Sequence, residues 1–224
     1  MKLNILFEND NFIAINKDIN ISVHKGTNSI INVIDIFKQT VKYKKTFLKL
    51  AHRLDKSTSG CLIIAKNKNF LKSFQLLLFK RDINKEYHTI VAGKTKKEFS
   101  IQTKQTLLNK YNNKIKNNDT ITLSVCNTIK HYNDKYSLIK IKLITGKLHQ
   151  IRIHLTHIGH PIVCDQKYGN CTINKQFIDR KINSMFLHAK SINFFCYVSK
   201  KQFDIHARYN CSVKKLIKYI KTNR

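Results

Sequence analysis

Alternation of apolar and polar residues predicts β-strands along much of the chain. Two of them lie near the start, at Leu3–Phe7 and Phe12–Asn16, with polar turn residues between them. Further strands are indicated, in chain order, at Cys61–Ala65, Glu86–Ala92, Ile121–Ile129, Tyr136–Ile144 and Phe186–Val198. The lysine- and asparagine-rich stretch Lys94–Thr120 has the weakest pattern in the chain, and it predicts neither a strand nor a helix.

Four other segments repeat their apolar residues close to every 3.6 positions, which predicts helices. They are Asn28–Tyr43, Asn67–Phe79, His149–Ile158 and Val213–Ile220. Strands and helices alternate irregularly, with no internal repeat and no flexible linker. We therefore expect an α+β (mixed α/β) fold in a single domain over residues 1–224.

The net charge of the chain indicates which kind of molecule it binds. The chain has 42 Lys and Arg against 13 Asp and Glu, a formal net charge of +29. An excess of this size favours binding to polyanions, chiefly nucleic acid or an anionic membrane surface. Compositional drift toward lysine is the alternative, because the chain also has only one Pro and six Gly.

The apolar runs are too short to cross a membrane. The longest, such as Cys61–Ala65 and Phe194–Val198, contain about five residues, whereas a spanning helix needs about 20. The N-terminal stretch becomes acidic at Glu8 and Asp10 before the apolar core of a signal peptide develops. We expect a soluble, cytoplasmic, monomeric protein with no membrane partner.

A cluster of potential metal ligands lies in the second half of the chain, at His157, His160, Cys164 and Cys171. Structural zinc is usually held by tighter ligand pairs than these two cysteines, which lie seven residues apart. A metal-dependent nuclease would also need carboxylates here, and Asp165 is the only one nearby. We expect reduced thiols and no metal site.

Three segments carry polar residues that neither a core nor a solvated surface requires. They are Leu50–Asn67 (LAHRLDKSTSGCLIIAKN), Lys85–Gly93 (KEYHTIVAG) and Thr145–Gly169 (TGKLHQIRIHLTHIGHPIVCDQKYG). In the first, neighbouring positive charges keep the Asp55 carboxylate ionised. A turn that satisfies loop backbone groups is an equally good explanation of this segment from its local chemistry alone.

Taken in order, and followed by MFLHAKSI, these segments closely resemble the RluA family of pseudouridine synthases. The resemblance covers roughly Ile5 to Tyr197, and its most specific motif is H-R-L-D-x-x-T-S-G at His52–Gly60. It implies a pseudouridine synthase catalytic domain, with a largely antiparallel mixed sheet, flanking helices and a central active-site cleft. No cofactor is implied.

The resemblance also implies a reaction. The N1–C1′ bond of a uridine in RNA is broken, the uracil rotates, and a C5–C1′ bond is formed. Large-subunit ribosomal RNA is the expected substrate, and transfer RNA is the alternative. A catalytically idle RNA- or ribosome-binding module with the same fold remains a second hypothesis. Such a module should have lost Asp55, Tyr87 or Arg152, and all three are present.

The resemblance assigns roles to individual residues. Asp55 matches the family's nucleophile, which attacks either the sugar C1′ or the base. Tyr87 matches the tyrosine that stacks on the uracil and helps remove the C5 proton. Arg152 matches the arginine that pairs with the aspartate, and Arg53 matches a residue that enters the RNA stack when the target base flips out. The other expected RNA-binding residues are His52, Lys56, Lys147 and Gln150.

The chain departs from the family pattern in three places. Lys147 replaces an arginine, and in the segment Asn16–His24 the family's proline and glycine are replaced by Asp18 and Asn20. We therefore expect a less rigid loop there. Some family members begin with a small RNA-binding S4 domain, which we expect this chain to lack.

Overall fold

A mixed ten-stranded sheet forms the centre of the fold in a computed structural model of the chain. The structure describes residues 3–23, 32–108 and 115–222, and the side chains of these residues outside 105–119. The predicted positions at His24, at residues 28–31 and at residues 223–224 lie outside this description.

The strands, in chain order, are β1 (Asn4–Glu8), β2 (Phe12–Lys17), β3 (Lys49–Leu50), β4 (Ser59–Ala65), β5 (Ile83–Ala92), β6 (Glu98–Leu108), β7 (Ile115–Tyr132), β8 (Tyr136–Leu143), β9 (Leu187–Cys196) and β10 (Lys201–His206). The helices are α1 (Val33–Lys38), α2 (Lys68–Lys80), α3 (Gln150–His157), α4 (Cys171–Ile178) and α5 (Cys211–Thr222).

Neighbouring strands follow the order β1-β2-β4-β9-β5-β8-β7-β6, with β3 paired to β4 and β10 paired to β9. Only the β4–β9 pair is parallel among the described strands. The mixed, mostly antiparallel sheet is therefore confirmed. Strand β5, which carries Tyr87, lies near its middle.

The polar stretch Lys94–Thr120 contains strands that its sequence pattern did not predict. Its described part forms β6 and the beginning of β7, which pair as a long antiparallel hairpin. Cross-strand contacts hold this polar ladder together, including a 2.9 Å hydrogen bond between the hydroxyls of Thr103 and Thr122. Because each strand of this hairpin is stabilised by contacts with the other strand, the pattern of apolar residues within either strand does not predict it.

The helix predicted at Asn28–Tyr43 is shorter than expected. Asn32 begins α1 with a capping box, because its side chain accepts from the backbone N–H of Asp35 while the Asp35 carboxylate accepts from the N–H of Asn32. The helix ends at Lys38 and is followed by a separate 3-10 turn at Val41–Tyr43.

The sheet separates two apolar clusters, as the strand alternation requires. Phe12 and Ala14 of β2 pack on the side covered by α2. Ile13 and Ile15 pack on the opposite side, which α1 and α3 cover. No helix among the described residues is both long and apolar enough to span a membrane, and the six cysteines form no disulfide.

The parallel contact between β4 and β9 fixes the loop that precedes β4. Gly60 pairs with Ala189 there and has a φ of +110°. A Cβ atom at this position would lie 2.2 Å from the Ala189 carbonyl oxygen. Glycine is therefore required for β9 to approach the start of β4, five residues after Asp55.

Candidate active site

An open cleft of about 280 Å³ lies between β5, the β3–β4 loop and the beginning of α3. Asp55, Tyr87 and Arg152 all line this cleft. The three predicted catalytic residues come from distant parts of the chain, and the fold brings them together at the middle of the sheet.

Asp55 lies in the β3–β4 loop, where its carbonyl accepts a hydrogen bond from the Thr58 N–H at 3.0 Å. Its side chain is 20% exposed. One carboxylate oxygen, Oδ2, is 3.9 Å from Nη1 of Arg152 and 3.7 Å from Nε2 of His149. The carboxylate is thus close to a positive charge and still reachable from the cleft.

Arg152 forms the expected ion pair with Asp55 only at 3.9 Å, and makes its short hydrogen bonds to Asp165. Nε and Nη2 of Arg152 donate to the two oxygens of Asp165 at 2.7 Å each. The backbone N–H groups of Lys167 and Tyr168 donate to the same carboxylate. Burial alone would raise the pKa of Asp165, but these donors together lower it. The guanidinium is therefore held rigidly by Asp165 while it faces Asp55.

Tyr168 contacts both Arg152 and His149, the two neighbours of Asp55. Its ring lies 4.9 Å from Cζ of Arg152, and its hydroxyl is 3.0 Å from Nδ1 of His149. Burial lowers the pKa of His149, the nearby Arg152 charge adds to this, and Asp55 opposes it. The neutral imidazole is therefore favoured, and a hydroxyl donating to Nδ1 would leave the Nε2 proton facing Asp55.

Tyr87 lies on β5, between Ile141 of β8 and Ala189 of β9 in the sheet. It is 7% exposed, and its ring forms part of the cleft wall. Burial raises the pKa of Tyr87, and the negative charge of Asp55 raises it further. The hydroxyl is therefore protonated at neutral pH.

The predicted RNA-binding residues fall into two groups. Arg53 is exposed and Lys147 is half-buried, and both line the cleft. Lys56 is also exposed, but its side chain does not line this cleft. Its carbonyl instead accepts hydrogen bonds from the Asn20 N–H at 2.8 Å and from Lys17 Nζ at 3.3 Å.

His52 is half-buried and makes contacts within the protein, and its role as an RNA contact stays a prediction. Nε2 of His52 accepts a hydrogen bond from the Ile63 N–H at 3.1 Å, and the ring stacks on Phe74. Burial lowers the pKa of His52 to about 3. A neutral ring used in this way anchors the catalytic loop to β4 and offers no charge to a phosphate.

Gln150 lines the cleft but makes its hydrogen bonds within the protein, and its role in RNA binding stays a prediction. It is 2% exposed, and all its hydrogen-bonding capacity is used inside the protein. Its amide group contacts the Thr145 hydroxyl, the Lys147 N–H, the Leu123 carbonyl and the Ser124 hydroxyl. Gln150 therefore fixes the turn before α3 against β7.

The loop that follows β2 is held more firmly than its sequence suggested. Asn20 has a φ of +64°, a conformation that glycine and asparagine adopt more readily than other residues. The buried Lys17 ammonium donates to the carbonyls of Asp18, Ile21 and Lys56. Burial lowers the pKa of Lys17 to about 7, against the attraction of nearby carboxylates. The loop is thereby tied to the residue that follows Asp55.

Sequence reasoning missed His149, Asp165 and Tyr168 as parts of the site. All three lie in the segment Thr145–Gly169, and Asp165 is the only carboxylate in it. A buried arginine needs an anionic partner, so this lone carboxylate was the available signal. Within the described part of the chain, no three His, Cys, Asp or Glu side chains converge in a way that could hold a metal ion.

Comparison with known proteins agrees with this geometry. Residues 11–157, which include Asp55, Tyr87 and Arg152, match the family described as RNA pseudouridylate synthase. The chain is 37% identical over 221 residues to ribosomal large subunit pseudouridine synthase C of Buchnera aphidicola subsp. Baizongia pistaciae, covering 96% of this chain and 69% of that protein. It is 34% identical over 212 residues to the protein of the same name from Buchnera aphidicola subsp. Schizaphis graminum, covering 91% and 66%.

Solved structures share the fold. Human RNA pseudouridylate synthase domain containing 1 superposes with a TM-score of 0.75 at 20% identity, covering 99% of this chain and 96% of that chain. Human RNA pseudouridylate synthase domain containing 4 gives a TM-score of 0.76 at 20% identity, covering 96% and 93%. Because the family match covers residues 11–157, most of the chain, the protein belongs to the RNA pseudouridylate synthase family.

Proposed function

We propose that this isomerase converts uridine to pseudouridine in large-subunit ribosomal RNA, with Asp55 as the nucleophile. The observation that carries the proposal is the placing of Asp55, Tyr87 and Arg152 around one cleft. The choice of RNA is supported by relatives whose names specify the large ribosomal subunit. We also propose that the protein acts as a cytoplasmic monomer.

Asp55 is suited to covalent catalysis because its carboxylate is partly exposed and not tied into a short ion pair. Attack on C1′ or on the base divides the exchange of glycosidic bonds into two easier steps. The N1–C1′ bond breaks, the uracil turns within the cleft, and the C5–C1′ bond forms. The product has the same atoms as the substrate, because the proton lost from C5 is matched by one gained at N1.

Tyr87 acts mainly through its ring in this proposal. Because burial and Asp55 raise its pKa, the phenolate that would abstract the C5 proton is disfavoured. The ring instead offers a flat apolar surface on which a detached uracil stays stacked while it turns. Arg53, which is exposed and lines the cleft, fills the gap left by the flipped nucleotide in this proposal.

The test is a map of pseudouridines made in unmodified transcripts. The purified chain is incubated with large-subunit ribosomal RNA and, separately, with a mixture of transfer RNAs, and pseudouridines are located by base-specific chemical labelling. We expect product at discrete uridines of the ribosomal RNA alone. Product confined to transfer RNA would overturn the proposed substrate, and no product in either RNA would contradict the activity.

A further inference from the structure

Lys85 lies between the active-site cleft and a second cleft of about 230 Å³, and it lines both. It precedes Tyr87 by two residues on β5, so the two side chains project from the same face of the strand. A Cβ atom added at Gly146 would be 3.3 Å from Nζ of Lys85. The ammonium group therefore lies against the backbone where the two clefts meet.

Within the described part of the chain, the Lys85 ammonium has no anionic partner. Among the described residues, no carboxylate lies within 4 Å of its Nζ, and no hydrogen bond from it is found. Burial lowers the pKa of Lys85, with no neighbouring charge to offset the loss of water. Removing a charge from water without pairing it is unfavourable, so this position lowers the stability of the protein.

Lys17, which is fully buried where Lys85 is half-buried, shows the contacts of a lysine with a structural role. The Lys17 ammonium donates to three backbone carbonyls. Lys85 has no such set of acceptors, and it faces the cleft instead of the core. An ammonium without these acceptors can bind an anionic group of the substrate.

We propose that Lys85 binds a backbone phosphate next to the target uridine, and that the second cleft holds the RNA strand as it leaves the active site. The inference rests on the proposed function, because it takes the uracil to be stacked on Tyr87. Residues two apart on a strand are separated by about 6.6 Å, which puts a phosphate of the stacked nucleotide within reach of the long lysine side chain. Arg81 and Lys147 also line the second cleft and add to its positive charge.

The first test compares two variants that each remove one positive charge. Lys85→Met removes the proposed contact, whereas Lys72→Met removes an exposed charge from α2 that lines neither cleft. Binding of a single-stranded RNA containing a target uridine is measured over a salt series. We expect Lys85→Met to weaken binding about tenfold and to reduce the log–log salt slope by about 0.7. Lys72→Met should change neither, and equal slopes for Lys85→Met and wild type would overturn the proposal.

A second readout separates RNA binding from a structural role. Because Lys85 is desolvated without a partner, Lys85→Met should unfold at the same temperature as wild type or a higher one. If Lys85 stabilised the fold, the unfolding temperature would fall. If Lys85→Met does not fold, the unfolding temperature of Lys85→Gln is measured instead. Destabilisation of both variants would contradict the proposal.

The contact can also be removed from the RNA side. Replacing single phosphates around the target with uncharged methylphosphonates should weaken wild-type binding most at one linkage, and Lys85→Met should be insensitive at that linkage. An equal response of both proteins at every linkage would refute the contact. RNA that the wild-type protein binds but does not modify would instead contradict the proposed function alone, because none of these measurements requires turnover.

Discussion

Arg152 is fixed by one carboxylate and faces another. Its two 2.7 Å hydrogen bonds go to Asp165, and its nearest approach to Asp55 is 3.9 Å. A short bidentate pair with Asp55 would occupy both carboxylate oxygens and leave neither free for attack. The observed arrangement keeps a positive charge beside Asp55 and leaves its carboxylate available.

Asp165→Asn tests this arrangement. The variant leaves a buried guanidinium without its anionic partner, which should destabilise the fold by about 3–5 kcal/mol and reduce turnover. The folded pKa of Asp165 lies below its ordinary value. Its contribution to stability is therefore present above the unfolded pKa and is lost as the pH falls through the folded pKa. Urea unfolding at neutral and acidic pH should show a larger loss of stability in wild type than in Asp165→Asn, which keeps only the contributions of other carboxylates such as Glu8.

The exposed Asp179, on the surface at the end of α4, provides the control. Asp179→Asn should change the free energy of unfolding by no more than about 0.5 kcal/mol. If Asp165→Asn were equally harmless, the buried pair with Arg152 would not organise the site.

At the scale of residues, the sequence predicts which residues share the cleft, but it does not predict that Asp165 is the partner of Arg152. Asp55, Tyr87 and Arg152 lie in motifs specific enough to predict that all three share one cleft. The Arg152–Asp165 pair depends on the path of the loop after α3, including the positive φ of Cys164. In the same way, sequence alone does not tell whether the amide of Gln150 points into the protein or toward RNA.

At the scale of elements, the start of β4 connects the catalytic loop to the middle of the sheet. Gly60→Ala would bring a methyl group within 2.2 Å of the Ala189 carbonyl oxygen. Gly159 also has a positive φ, but a Cβ there would meet nothing within 4 Å. Both variants place a Cβ atom on a residue with positive φ, which costs about 1–2 kcal/mol. Only Gly60→Ala must also displace β9.

We therefore expect Gly60→Ala to be less stable than Gly159→Ala by at least about 1–3 kcal/mol, the usual range for overpacking. Chemical denaturation of the two variants measures the difference. Equal stabilities would mean that β9 moves easily from β4 and that this contact does not fix the loop carrying Asp55.

The strands and helices with strong patterns were predictable, and those that depend on neighbours were not. The apolar run of β4 and the amphipathic face of α2 appear within a few residues of their predicted limits. Strand β10 and helix α4 were missed. Four of the six residues of β10 are exposed, and the strand is stabilised by pairing with β9 along its full length. Helix α4 begins at an Asn170 cap and has only two buried residues.

At the scale of the whole molecule, the net charge of +29 calls for a measurement of its own. The sequence places lysines densely in Lys94–Lys116 and Lys214–Arg224, and the described part of the latter presents four exposed lysines on α5, at positions 214, 215, 218 and 221. We predict that diffuse phosphate contacts hold the RNA. The log–log salt slope should then correspond to several contacts, at about 0.7–0.9 for each.

Replacing the four α5 lysines by glutamine should reduce this slope, while the positions of the pseudouridines stay the same, because phosphate contacts carry no sequence information. A wild-type slope worth only one or two contacts would show that the excess charge arose from compositional drift.

The most direct test of the account is the reaction of Asp55→Asn. Joining C1′ to C5 displaces the C5 hydrogen, so RNA labelled with tritium at uridine C5 releases its label when pseudouridine forms. We expect Asp55→Asn to fold, to bind this RNA with an affinity close to that of wild type, and to release no tritium, whereas Asp179→Asn should react normally. Release by Asp55→Asn at a tenth of the wild-type rate or more would contradict the assignment of Asp55 as the nucleophile.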